Sequence, residues 1–139
     1  MKQLFRFIFV LFATIIFFSC SEKEDNIPIE EDQYYVKYVA YVRSYTGPWS
    51  PYLNSVTVKT ERGEDTFATK GVENWVKTIG PVNRGFKAEI EAYGGPYLYV
   101  EIHVCVGENG AFECKKSGGN YYDGGLYSSK RAYASFKID

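Results

Sequence analysis

The sequence predicts an all-β fold, a single antiparallel β-sandwich of about seven strands, from three observations. Apolar and polar side chains alternate with a period of two in several segments, which is the pattern of a strand with one buried face. Pairs of turn-forming residues recur at short spacing, from Gly47-Pro48 to Gly124-Gly125. No long segment has apolar residues at a helical period. Together these observations exclude a helical bundle and favour a sandwich or a small barrel.

Three segments show the clearest alternation. In Tyr34–Arg43 the even positions are apolar or aromatic, and the odd positions include a lysine and an arginine. Phe86–Ala92 and Leu98–Val106 each have one entirely apolar face, as expected of half-buried antiparallel strands. Shorter strands are predicted at four further segments, which are Ser55–Thr60, Asp65–Thr69, Val72–Ile79 and Lys130–Ile138.

The first 19 residues have the organisation of a signal peptide. A basic start is followed by the apolar run Phe7–Phe18, whose helix would rise roughly 18 Å against a hydrocarbon core of about 30 Å. The next residues, Phe17-Phe18-Ser19-Cys20, resemble the lipobox of bacterial lipoproteins, although Phe17 stands where leucine is usual. The resemblance implies that residues 1–19 are removed and that Cys20 is lipidated. A plain signal peptide and an uncleaved anchor are the alternatives.

Residues 20–32 are predicted to be an acidic, flexible tether. Residues 21–32 contain six acids and one lysine, a net charge of 1 − 6 = −5, and too little apolar surface to fold. A lysine and acids directly after the cysteine resemble the export signal of surface lipoproteins of Bacteroidetes. The resemblance implies an exported protein anchored by lipid to the outer membrane, with surface display favoured over the periplasmic side.

Residues 33–139 are predicted to form one globular domain. The 139-residue chain has 45% apolar and 24% charged side chains, which excludes a disordered chain, and its net charge of −1 gives no reason to expect a nucleic-acid partner. Val36–Val42, Pro48-Trp49, Ser55–Val58, Gly85–Ala88 and the terminal hairpin from Tyr97 resemble an immunoglobulin-like sandwich of bacterial envelope proteins, including the MmpS-type transport accessory proteins. That resemblance implies an accessory role beside an envelope complex.

Cys105 and Cys114 flank Asn109-Gly110, a strong hairpin signal. A two-residue turn would place the cysteines opposite each other, and an oxidising compartment would then favour a disulfide. A three-residue loop would instead pair Val104 with Cys114 and put the cysteines on opposite faces. We favour the disulfide because the hairpin tip is expected to lie beyond the packed core. Its role would be structural.

Catalytic and metal-binding patterns are nearly absent from the sequence. His103 is the only imidazole, and its place on the polar face of a strand is typical of an exposed histidine. Glu89 and Glu91 share a strand face in the manner of a solvated surface. No Cys/His cluster or calcium-loop spacing occurs. The sequence therefore predicts no enzyme, no catalytic residue, no metal site and no cofactor.

Tyrosine is the unusual feature of the composition, with all 13 tyrosines lying in residues 33–139. Loop aromatics form two clusters, Tyr45, Trp49 and Tyr52 in one, and Tyr121, Tyr122 and Tyr127 in the other. Such side chains are enriched at binding interfaces, although tyrosine also covers many sheet faces. The sequence therefore predicts a non-catalytic module that binds a protein or a glycan. A structural subunit of an envelope or transport complex is the alternative.

Overall fold

The computed structural model describes residues 32–43, 52–95, 97–119 and 130–139, all of which belong to one compact unit, Glu31–Asp139. Within these ranges the chain forms eight strands and no helix, which confirms the all-β prediction. In chain order the strands are β1 Tyr34–Val42, β2 Leu53–Thr60, β3 Gly63–Ala68, β4 Asn74–Val82, β5 Lys87–Gly94, β6 Leu98–Val106, β7 Glu113–Gly119 and β8 Lys130–Lys137.

The strands form two antiparallel sheets of four. Sheet A has the order β4-β1-β6-β7, and sheet B has the order β3-β2-β5-β8. Among consecutive strands, β2–β3 and β6–β7 are neighbours in one sheet, and every other connection passes between the sheets. The three segments with the clearest alternation become β1, β5 and β6, which are interior strands of their sheets. The finer immunoglobulin-like assignment stays a prediction.

The core lies between the two sheets and is built from every second residue of the interior strands. In β1 the even positions are buried and the odd positions are partly exposed, so one face of the strand packs inward. The residues with no exposed surface include Tyr38 from sheet A and Ile90 from sheet B. Burying such side chains contributes about 1.5 to 3 kcal/mol each, which makes these faces the main source of stability.

Tyr38 connects the two sheets by a hydrogen bond as well as by packing. Its hydroxyl crosses the core from β1 and donates to the carbonyl oxygen of Lys59 in β2, at 2.7 Å. It also accepts a hydrogen bond from the backbone of Glu89 in β5. The β2–β5 register ends at Val58 and Ile90, so Lys59 and Glu89 are the next facing positions. The phenol therefore occupies the point where β2 and β5 separate.

The two sheets also approach each other along both sides of the sandwich. On one side the backbones of β7 and β8 are in direct contact, since a Cβ atom on Gly118 would lie 2.0 Å from the carbonyl oxygen of Tyr133. On the other side, Phe67 of β3 packs against Trp75 of β4, with ring centroids 5.3 Å apart. Glycine thus closes one side, and two large aromatic rings close the other.

The hairpin between β6 and β7 differs from both predicted registers. Tyr99–Ile102 pair with Lys116–Gly119 in the register of the three-residue loop. A bulge then follows, and it shifts the pairing by one residue, so that Cys114 lies opposite His103. The extra residue is Lys115 in β7, and Cys114 consequently lies opposite neither Cys105 nor Val104, the partners that the two predicted registers gave it.

The predicted disulfide between Cys105 and Cys114 is therefore corrected, since both are free thiols in the structure. Cys105 is 3% exposed and lies under the hairpin loop. If Gly110 carried a Cβ atom, that atom would lie 3.2 Å from the Cβ atom of Cys105. Its sulfur lies 3.5 Å from the carbonyl oxygen of Gly107. Cys114 is exposed and faces a different residue, so neither predicted register describes the hairpin tip.

Candidate functional site

The strand ends that flank residues 44–51 and 120–129 all lie at one end of the sandwich. In sheet A, Val42 of β1 lies opposite Leu98, and the last residue of β7 lies opposite Tyr99. In sheet B, the first residues of β2 and β8 both lie opposite Gly94. The connection from β3 to β4 joins the two sheets here, because Val42 and Leu53 both donate backbone hydrogen bonds to it, at 3.0 and 2.8 Å.

This end presents aromatic side chains and an arginine, and we call it the aromatic end, defined by Tyr41, Arg43, Tyr52 and Tyr99. The rings of Tyr41 and Tyr99 are stacked, with centroids 5.5 Å apart and an angle of 16° between their planes. The guanidinium of Arg43 lies 4.7 Å from the centroid of the Tyr99 ring, a cation–π geometry. Tyr52 is 38% exposed at the start of β2.

The predicted site residues are only partly covered by the described ranges. Tyr52 lies at the aromatic end, as its place before β2 predicts. The other predicted binding residues, Tyr45, Trp49, Tyr121, Tyr122 and Tyr127, lie outside the described residues, as does Cys20. The stacked pair of Tyr41 and Tyr99 was not singled out as a site, although the alternation placed both on outer strand faces. Their pairing across β1 and β6 supplies the missing information.

A second group of functional side chains lies on the outer face of sheet A. The Nε2 atom of His103 is 2.7 Å from the Oε2 atom of Glu101, its next-but-one neighbour on β6. The hydroxyl of Tyr41 donates to the other carboxylate oxygen, Oε1, at 2.9 Å. Cys114 comes from β7, and its sulfur, the imidazole nitrogen and the carboxylate oxygen all lie within 4.8 Å of one another. We call Glu101, His103 and Cys114 the β6–β7 cluster.

The electrostatics of Glu101 follow from these contacts. Burial raises the pKa of the Glu101 carboxyl, but the hydrogen bonds from His103 and Tyr41 outweigh it, and the net shift is downward. The side chains of Glu101 and His103 are 26% and 18% exposed, so water and small solutes can reach both. The carboxylate is thus ionised and fixed by two partners while keeping one accessible side.

The β6–β7 cluster was missed by sequence reasoning, which predicted no metal site and an exposed His103. Imidazole, carboxylate and thiolate are the three side-chain types that bind zinc in proteins. The alternation does place Glu101 and His103 on one face, but Cys114 joins them only through the bulge. No spacing in the sequence encodes that shift of one residue.

Glu89 and Glu91, the other carboxylates singled out above, lie on the outer face of sheet B. Glu89 is 2.7 Å from the Nζ atom of Lys87 and accepts a hydrogen bond from the hydroxyl of Tyr133, also at 2.7 Å. Glu91 accepts a hydrogen bond from the guanidinium of Arg131. These partners lower the pKa of both carboxyls, so each is an ionised, paired surface group.

Comparisons with protein-family models, with curated proteins and with solved structures found no match to this chain. Within the described ranges there is also no helix that is long and apolar enough to cross a bilayer. A functional assignment therefore depends on the two surfaces described above, the aromatic end and the β6–β7 cluster.

Proposed function

We propose that this protein is a lipid-anchored, non-catalytic binding module of the bacterial envelope, which recognises a protein or a glycan through its aromatic end. The observation that carries the proposal is the stacked pair of Tyr41 and Tyr99 with Arg43 over the Tyr99 ring, together with an exposed Tyr52 at the same end of the sandwich. All four residues lie at the end where the strands join residues 44–51, which contain Tyr45 and Trp49, and residues 120–129, which contain three tyrosines. The described part of the surface and the sequence pattern thus favour the same end of the domain.

The chemistry of this end suits recognition without catalysis. A tyrosine ring offers a flat apolar face and a polar hydroxyl, so it can stack on a sugar ring or fill a partner's pocket while staying hydrated in the free protein. Tyr41 and Tyr99 lie on paired interior strands, which fix them more firmly than a loop would. The loss of side-chain conformational entropy when a partner binds is correspondingly small.

The place where the predicted tether joins the domain is compatible with this proposal. β1 begins at Tyr34, opposite Val106, and ends at Val42, opposite Leu98. The predicted tether therefore enters the domain at the end opposite the aromatic end, and a strand of this length spans roughly 27 Å. A lipid at Cys20 would thus be attached through the end of β1 that is farther from the aromatic end.

Site-specific photo-cross-linking in cells tests the proposal. A photoreactive amino acid is placed at position 52, or, as the control, at position 133, where Tyr133 is 44% exposed on the outer face of sheet B. The purified full chain is screened in parallel on a polysaccharide array. Capture at position 52 but not at 133 would support a protein partner. If that partner is one stable envelope complex, the protein is an accessory subunit of it.

Array binding that Tyr99→Ala abolishes and Tyr133→Ala leaves intact would support a glycan ligand. Equal capture at both positions, together with array signals that neither substitution changes, would refute the aromatic end as the binding surface. Circular dichroism of each variant confirms that the fold is retained, which keeps a loss of binding distinct from a loss of structure.

A further inference from the structure

The β6–β7 cluster brings three different metal-binding donors together without any other function to explain them. Glu101 and His103 project from one strand, and Cys114 projects from the next strand, opposite His103. Their donor atoms lie within 4.8 Å of one another. Cys114 is exposed and is not part of a disulfide, so its sulfur is available to a ligand.

We propose that Glu101, His103 and Cys114 form a binding site for a divalent zinc ion on the outer face of sheet A. The three residues would supply one oxygen, one nitrogen and one sulfur ligand. Thiolate selects soft and borderline metals, and imidazole suits zinc, so this mixed set favours zinc over calcium or magnesium. Three protein ligands leave the fourth tetrahedral position to a water molecule.

The distances are compatible with a metal after a small adjustment. With zinc–ligand bonds of about 2.0 to 2.3 Å, tetrahedral geometry separates the donor atoms by roughly 3.3 to 3.6 Å. The His103 and Glu101 donors, now 2.7 Å apart, must open slightly, and the sulfur must approach. Shifts of this size are within the range of side-chain rotation, because the three residues are already on one face of two paired strands.

A positioning group is also in place. The Tyr41 hydroxyl holds Oε1 of Glu101 and thereby leaves Oε2 directed at His103, where the ion would bind. Hydrogen bonds of this kind orient ligating carboxylates and strengthen metal sites. Tyr41 is a positioning residue in this proposal and not a ligand.

The charges of the site balance. On binding, the Cys114 thiol loses its proton to solvent, and the proton that His103 Nε2 donates to Glu101 moves to Nδ1 or to solvent, which frees the Nε2 lone pair for the ion. The thiolate and the Glu101 carboxylate then neutralise the two positive charges of the ion. Lys37 lies opposite His103 on β1, and its positive charge helps to lower the pKa of the Glu101 carboxyl. Its Nζ atom also makes a cation–π contact, 4.7 Å from the centroid of the Phe112 ring.

Metal titration of the purified full chain tests this proposal. Co²⁺ replaces Zn²⁺ as the visible probe, because a tetrahedral thiolate complex gives a near-ultraviolet charge-transfer band and intense visible bands. We expect one equivalent of Co²⁺ to bind, an equivalent amount of Zn²⁺ to displace it, and Cys114→Ser to abolish the charge-transfer band. His103→Gln and Glu101→Gln should each weaken Zn²⁺ binding, and Tyr41→Phe should weaken it by about tenfold.

Matched controls separate this site from other thiols and carboxylates. Cys105→Ser and Cys20→Ser change the other two cysteines, and Glu89→Gln changes a paired surface carboxylate on sheet B. All three should leave the cobalt spectrum and the zinc affinity unchanged. Absence of stoichiometric binding, or a cobalt spectrum that survives Cys114→Ser, would overturn the proposal. Circular dichroism without metal shows whether each variant is folded.

Discussion

Replacing Tyr38 by phenylalanine removes a single oxygen atom from the centre of the sandwich. Tyr38 has no exposed surface, and its hydroxyl contacts backbone groups of both β2 and β5. Burial raises the pKa of this phenol, so the hydroxyl remains protonated and able to donate. Tyr38→Phe keeps the ring and its packing but leaves the carbonyl of Lys59 and the backbone N–H of Glu89 without this partner.

The expected magnitude follows from those two groups. A buried backbone group that loses its partner costs about 1 to 3 kcal/mol, so the loss of both contacts should lower the free energy of unfolding by about 2 to 6 kcal/mol. A loss of about 3 kcal/mol would lower the Tm of a domain of this size by roughly 10 °C. The assay is urea unfolding of Glu31–Asp139 followed by circular dichroism, with thermal melts as a second measurement.

Tyr133→Phe is the matched control, since it makes the same chemical change at a tyrosine that is 44% exposed and that also contacts Glu89. Water can replace the lost hydrogen bond there, so we expect a change within about 0.5 kcal/mol. Equal effects of the two substitutions would refute the idea that the Tyr38 hydroxyl satisfies buried backbone groups where β2 and β5 separate.

Three further outcomes are expected. Gly118→Ala should destabilise the fold by more than about 2 kcal/mol, because its Cβ atom would lie 2.0 Å from the Tyr133 carbonyl oxygen. Gly95→Ala is the control in the same assay. Its Cβ atom would lie 3.4 Å from the nearest atoms, so it should cost under about 1 kcal/mol. Thr69→Val should stabilise the protein by about 1 kcal/mol, because the buried hydroxyl has no hydrogen-bond partner among the described residues; a lower Tm would contradict this. The folded state lowers the pKa of Glu101, so its contribution to stability is present above about pH 4.5 and is lost as the pH falls through the lower folded value. Urea unfolding between about pH 6 and pH 3 should therefore show a weaker pH dependence in Glu101→Gln, and an unchanged dependence would refute the assignment.

The sequence patterns predicted the interior strands well, since an interior strand of a sandwich must bury every second side chain. Tyr34–Val42 buries every second side chain along its whole length, and Leu98–Val106 does so as far as Val104, after which Cys105 is buried and Val106 is exposed. Glu113–Gly119 shows none, because its side chains are nearly all exposed. It appeared only as one arm of the Asn109-Gly110 hairpin, and the alternation could not fix its ends.

The candidate sites were harder to predict, because they depend on the register in which strands pair and not only on the alternation of side chains in the sequence. Alternation places Glu101 and His103 on one face, but the position of Cys114 depends on a one-residue bulge whose cause lies in the tertiary fold. The predicted disulfide fails for a different reason, because the pairing of Tyr99–Ile102 with Lys116–Gly119 follows the register that separates the two cysteines, and the bulge then moves Cys114 opposite His103. Tyr41 and Tyr99 were likewise visible as outer-face residues, and only the β1–β6 register shows that they stack.

The two sides of the sandwich are closed by different kinds of contact, and this difference affects where the domain opens locally. Where β7 and β8 touch at Gly118, the two backbones are in contact, so opening this side requires the two sheets to move apart as rigid units. Where β3 and β4 meet, Phe67 and Trp75 are only partly buried, so rotation of two side chains is enough to separate these two edges, and each strand is then held only by its ladder to β2 or β1. Local opening should begin there, and amide hydrogens of β3 and β4 should exchange with deuterium sooner than those of the interior strands β1, β5 and β6.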